Sequence, residues 1–196
     1  MTTTSSTLPR RSEGLRSGLI VVGGLLALMW ALEVIDHASF HALDQLGIVP
    51  RQPGSLLHIA TAPWLHFGFS HLISNSIPFL VLGLLTWLAG RRTWIVTTLL
   101  AVVCSGAVVW LISPSFSITA GASGVVFGYL AFLLVLGFYT RSLGQILVAV
   151  VVFFFYGSVL LGVLPGADGV SWQGHLGGAI GGILSARMLR DPRPIR

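Results

Sequence analysis

The chain is 196 residues long, 54% hydrophobic and only 9% charged, with a mean hydropathy of +0.88. A soluble domain of this size carries far more charge, so the composition excludes one and points to a polytopic membrane protein. The net charge of +5 invites a nucleic-acid partner, but the basic residues lie between apolar runs rather than in a patch, which excludes nucleic acid.

Residues 1–17 are polar and read as a short cytoplasmic tail, since no small-residue cleavage site separates them from the apolar run that follows. One membrane domain is expected over 18–190 and a second tail over 191–196. Six runs are long enough, or nearly so, to cross about 30 Å of hydrocarbon as helix. They lie at 18–35, 71–89, 94–112, 121–139, 143–163 and 174–189. Their continuous apolarity excludes a barrel of alternating strands. The fold class is therefore an all-α membrane bundle of six helices. All eleven basic residues are arginine, and ten of them fall on one side of this topology. Only Arg51 lies opposite, so both termini are placed in the cytoplasm.

The connection at 36–70 is far longer than a turn requires and holds Leu56, Leu57, Ile59, Trp64, Leu65, Phe67 and Phe69. It is expected to be ordered and partly sunk in the interface. The connection at 164–173, with Pro165, Gly166 and Gly169, is expected to move. Cys104 is the single cysteine, so no intramolecular disulfide can form.

Four polar residues stand out against this background. Ser123 sits in Gly121-Ala122-Ser123-Gly124 at the start of the fourth run. His175 opens the sixth, and His71 and Asn75 open the second at i and i+4, on one helix face. Counting toward the cytoplasmic arginines at 1.5 Å per residue places all four about 22–30 Å above that level. Polar groups at membrane depth are costly and face a bundle interior or wet cavity. Ser123 supplies a hydroxyl, His175 a base able to take and return its proton, and His71 and Asn75 donors for an oxyanion. The Ser123 backbone N–H, free at a helix start, is a further donor. The nearest carboxylate, Asp168, falls in the mobile connection, which favours a Ser–His dyad over a triad. Gly121, Gly124 and Gly128 on one helix and Gly178 and Gly182 on the other are small-residue faces that permit close axial approach. Singly, Ser123 would be a packing or capping serine and Asn75 interhelical glue; the coincidence of depth outweighs those readings. His66 is read as a structural hydrogen-bonder, and His37, His41 and His58 as interfacial residues. The spacing lacks the HExxH pair, so no metal is expected at the site, and no cofactor.

These residues resemble the rhomboid intramembrane serine proteases over residues 18–189. Gly121-Ala122-Ser123-Gly124 is similar to the family's GxSG motif, His175 with Gly178 and Gly182 to its HxxGxxxG, and His71-x-x-x-Asn75 to its oxyanion pair. Trp64-Leu65-His66-Phe67 resembles its lead-in. The resemblance implies hydrolysis of a peptide bond in or near the transmembrane helix of a membrane protein substrate. It also implies a site open to the outer side, entry of substrate between the second and fifth helices, and a small residue before the scissile bond. Phe127 stands where the family often has a tyrosine stacked on the catalytic histidine. The family's Trp-Arg pair is not evident, although Arg51 lies in the same loop. The short tails resemble bacterial members, with the chain in the cell membrane; oligomeric state is not legible. The competing expectation is a catalytically silent relative that binds transmembrane helices as a chaperone or adaptor. A small transporter would need a through-going polar path, which the apolar cytoplasmic halves of the runs do not offer.

Overall fold

The structure is a computed structural model that describes residues 11–166 and 169–189; both tails beyond these bounds, and Asp168, lie outside the described residues. Among the described residues it is all-helical. The α-helices are α1 (Arg11–Ala38), α2 (His58–Thr61), α3 (Phe69–Leu88), α4 (Arg91–Ile112), α5 (Ser123–Thr140), α6 (Leu143–Tyr156) and α7 (Trp172–Met188). Short 3-10 turns fill much of the α1–α3 connection, and a 3-10 segment, Gly157–Val163, extends α6.

Among the described residues, five helices are long and apolar enough to cross a membrane: α1, α3, α4, α5, and α6 with its extension. The chain is a multi-pass membrane protein. At 17 residues, α7 reaches only about 26 Å, short of the roughly 30 Å hydrocarbon core. Length and hydropathy alone therefore do not make it the expected sixth span. The first run is longer than expected, because helix begins at Arg11 and takes in residues assigned to the polar tail. That end is tied down: Trp87 Nε1 donates to the Gly14 carbonyl at 3.0 Å, and Gly18 packs against the Trp87 ring.

Burial orders the bundle. Some 67% of the apolar window of α5 is buried, against 11% for α6, so α5 is the central helix and α6 a peripheral one. Around α5 gather Val22 and Met29 of α1, Leu72, Phe79 and Leu82 of α3, and Trp94 of α4. Two buried polar links in the core join helices. Thr98 Oγ1 and Tyr129 Oη lie 2.8 Å apart between α4 and α5, and Thr97 and Ser185 hydroxyls lie 2.6 Å apart between α4 and α7.

Glycine decides where α7 sits. A Cβ at Gly178 would overlap the Gly124 carbonyl oxygen, and one at Gly182 the Gly128 carbonyl oxygen. On the adjacent face, Cβ atoms at Gly177 and Gly181 would each lie 2.5 Å from the carbonyls of Cys104 and Leu100. Backbone thus meets backbone on two sides, and α7 is wedged between α4 and α5. The row facing α5 is the expected one; the row facing α4 is an addition.

The α1–α3 connection has its own small apolar cluster of Ile48, Ala62, Leu65, Val109 and Ala120. Ile48 pairs with Thr119 in an isolated antiparallel bridge, with amide-to-carbonyl distances of 2.8 and 3.0 Å. That pairing fixes the connection against the residues leading into Ser123.

Candidate active site

The segment before α5 is held at two successive residues. Gly121 N donates to Ala62 O at 2.9 Å, and Ala122 N to His66 Nε2 at 3.3 Å, before helix begins at Ser123. Gly121 has φ +127°, and a Cβ there would sit 2.7 Å from Cε1 of His71, so both conformation and space demand glycine. The first rung of α5 is Val126 N to Ala122 O at 3.0 Å. The amides of Ser123, Gly124 and Val125 therefore have no intrahelical acceptor, and no side chain caps them. Ser123 stands at the point where unpaired N–H groups collect.

His175 is carried by α7, whose start is capped by Ser171 Oγ accepting from Gly174 N at 3.2 Å. It is 8% exposed. Its Nδ1 lies 2.9 Å from the Gly162 carbonyl. A carbonyl can only accept, so Nδ1 carries the proton and Nε2 keeps its lone pair. The ring stacks on Phe127 at 4.0 Å between centroids and 9° between planes. Gly162 completes the cradle, since a Cβ there would meet both His175 Nδ1 and Phe127 Cζ at 3.0 Å.

On α3, Phe67 N donates to His71 Nδ1 at 3.4 Å, which leaves the ring proton on Nε2. Asn75 is 6% exposed and returns one amide hydrogen to the His71 carbonyl at 3.0 Å, keeping its second for another acceptor. His66 lies edge-on to His71, with centroids 5.1 Å apart. Burial, with His71 beside it, pushes His66 down to about 3, so it is neutral and accepts the Ala122 amide.

Ser123, His175, His71 and Asn75 line one cavity of about 710 Å³, together with Phe127, Ser171 and Gln173. Three helices deliver them to one space. No hydrogen bond joins Ser123 Oγ to His175 among the described residues; such bonds are often long in a free enzyme and tighten on binding substrate.

Several residues that matter here were not legible in sequence. Gly162 sits in an apolar run with nothing to mark it. Arg51 and Trp110 form a clasp: Arg51 Nη1 donates to Leu111 O at 3.0 Å, Arg51 Nη2 to Ser115 Oγ at 2.7 Å, and Trp110 Nε1 to Gln52 O at 3.0 Å. A tryptophan and an arginine therefore anchor the α1–α3 connection after all, but from two separate segments. A motif of adjacent residues could not have revealed that.

A family model described as "Rhomboid domain" matches residues 53–192. An uncharacterized protein of Mycobacterium tuberculosis is 42% identical over 185 residues, covering 88% of this chain and 77% of its own length. An uncharacterized protein of Mycobacterium leprae is 43% identical over 185 residues, covering 88% of this chain and 73% of its own.

Proposed function

This chain belongs to the rhomboid family, and from that premise we propose that it is an intramembrane serine endopeptidase. The observation that carries the proposal is the convergence of Ser123, His175, His71 and Asn75, from α5, α7 and α3, on a single cavity. A packing serine and three unrelated polar residues would have no reason to share one space.

In this mechanism His175 Nε2, left with its lone pair by the Nδ1 bond to Gly162, takes the proton of Ser123 Oγ as that oxygen attacks the scissile carbonyl. The tetrahedral oxyanion is met by the free Ser123 amide at the start of α5, by His71 Nε2–H and by the second hydrogen of Asn75. His175 then returns its proton to the leaving amine. Water, activated by the same imidazole, attacks the acyl-enzyme and releases Ser123. Phe127 holds the imidazole plane by stacking alone, without a hydroxyl. Among the described residues no carboxylate lines the cavity, and we read the pair as a dyad.

The substrate is a transmembrane segment of another membrane protein, delivered through the bilayer. The peripheral, apolar α6 suits a helix past which such a segment enters. We place both termini in the cytoplasm by the arginine distribution and count α7 as a sixth, short span, carried by its packing between α4 and α5. The cavity then opens to the outer side of a bacterial cell membrane, where water can reach it.

Purified protein incubated with a panel of tagged single-pass transmembrane segments tests the proposal. Cleavage by the wild type and none by Ser123→Ala, with unchanged thermal unfolding, is expected. Binding of the segments without cleavage would instead give the silent helix-binding relative.

A further inference from the structure

The C-terminal end of α1 gathers charge that the site above does not use. Glu33 and Asp36, at i and i+3 on one face, are each only 2% exposed. Beyond the helix the chain turns back through Phe40 and His41, both in the left-handed region at φ +56° and +64°. This brings the imidazole to Asp36: His41 Nδ1 lies 3.0 Å from Asp36 Oδ2 and 3.7 Å from Asp44 Oδ2. Asp36 Oδ1 accepts the Leu43 amide at 2.7 Å. One ligand atom from each of Asp36, His41 and Asp44 falls within 4.8 Å of the others.

Glu33 is the anomaly. Both carboxyl oxygens are buried, and among the described residues neither has a hydrogen-bond partner. The Gly68 amide lies beside it without reaching hydrogen-bond geometry. Glu33 lines the same small cavity as Asp36 and Asp44. His66, whose Nδ1 is also buried without a partner, lines it too. Three carboxyl groups thus line one space, Glu33 and Asp36 buried and Asp44 partly exposed, and His41 is the only basic group among the described residues that pairs with any of them. Two buried carboxylates need charge compensation, and one imidazole is all that the described residues offer them.

We propose that this cluster binds one divalent transition-metal cation, best matched by Zn2+, with Asp36, His41 and Asp44 as protein ligands, water in the fourth position, and the unpartnered Glu33 carboxylate supplying negative charge beside them. The mixed nitrogen and oxygen set suits Zn2+ over Ca2+ or Mg2+. The His41–Asp36 and His41–Asp44 separations bracket the edge of about 3.3 Å expected between ligands of a tetrahedral zinc with bonds near 2.0 Å. The proton now held between His41 and Asp36 is replaced by the metal. With Nε2 accepting from Ala122, His66 carries its proton on Nδ1, where it can donate to a ligating carboxylate from outside the coordination sphere. The bound ion ties the end of α1 to the turn at Ala42–Leu46 and, through His66, backs the segment leading into Ser123.

The test uses the full chain, purified in detergent, stripped with chelator, and titrated with Zn2+, Mn2+ and Ca2+ separately. Metal content after desalting and the thermal unfolding midpoint are the readouts, both independent of proteolysis. One equivalent of Zn2+ should be retained, with the midpoint raised by about 5–10 °C at a free concentration about 100 times Kd. Glu33→Gln, which removes the adjacent charge, should weaken both effects, and the partly exposed Asp44→Asn, which removes a ligand, should abolish them. Two variants are used because the first removes a buried group and can affect folding by itself. Equal Zn2+ retention in wild type and both variants would mean adventitious binding by exposed histidines such as His37, and would overturn the site. A response to Ca2+ alone, or to no cation, would do the same.

Discussion

Ser123 is short and its position is set by backbone, which makes its removal a clean experiment. Ser123→Ala deletes one oxygen from a cavity wall, so cleavage should vanish while the unfolding midpoint stays within about a degree of wild type. A fluorophosphonate adduct should form on Ser123 and disappear in His175→Ala; an adduct that survives would assign the proton transfer elsewhere. Asn75→Ala removes one of the three proposed oxyanion donors and should lower turnover by at most about 10²–10³-fold. His66 gives a residue-scale prediction about pH. Its native value is held near 3, below its ordinary 6.5, so the unfolded chain binds a proton that the folded chain refuses. Stability is therefore full above about 6.5 and is lost as pH falls toward 3. His66→Asn, which still accepts the Ala122 amide but cannot titrate, should flatten that slope in thermal unfolding measured across the window. An unchanged slope would mean that other groups govern acid unfolding.

At the scale of elements, α7 is the piece whose placement depends least on side chains. Its glycines bring carbonyls of α4 and α5 against its own backbone, so no rotamer change can make room for a larger residue. Gly178→Val should destabilise the protein by at least the 1–3 kcal/mol typical of overpacking and should abolish cleavage by moving His175. Gly23→Ala is the control: a Cβ there has nothing within 4 Å, so stability should hold or rise by up to about 1 kcal/mol. Thermal unfolding of the two variants side by side separates crowding from any general effect of losing glycine. The 3-10 segment after α6 belongs to this scale as well. It delivers the Gly162 carbonyl that fixes the His175 tautomer, and the glycine that leaves room for the ring stack.

At the scale of the whole molecule, the α1–α3 connection is fastened to the residues before α5 by the Ile48–Thr119 pairing and by the Arg51 and Trp110 clasp. Arg51→Ala should leave the bundle folded yet loosen this strap. Amide exchange at Ile48 and Thr119 should accelerate about tenfold or more, the equivalent of losing roughly 1.4 kcal/mol of charged hydrogen bonding. Unaltered exchange would show that the apolar cluster holds the connection alone. The sequence by itself determined the membrane class, the approximate runs and the residues to watch, because hydropathy and helical spacing are local and glycine next to serine is visible in one dimension. His71 and Asn75 could be paired on a face for the same reason. Other features were decided only by tertiary structure: that α1 starts at Arg11, that a second glycine row faces α4, that Gly162 cradles His175, and that Glu33 ends up buried beside Asp36. Each depends on which backbone atoms from distant parts of the chain come within a few ångströms, and that depends on how whole helices pack rather than on any local pattern.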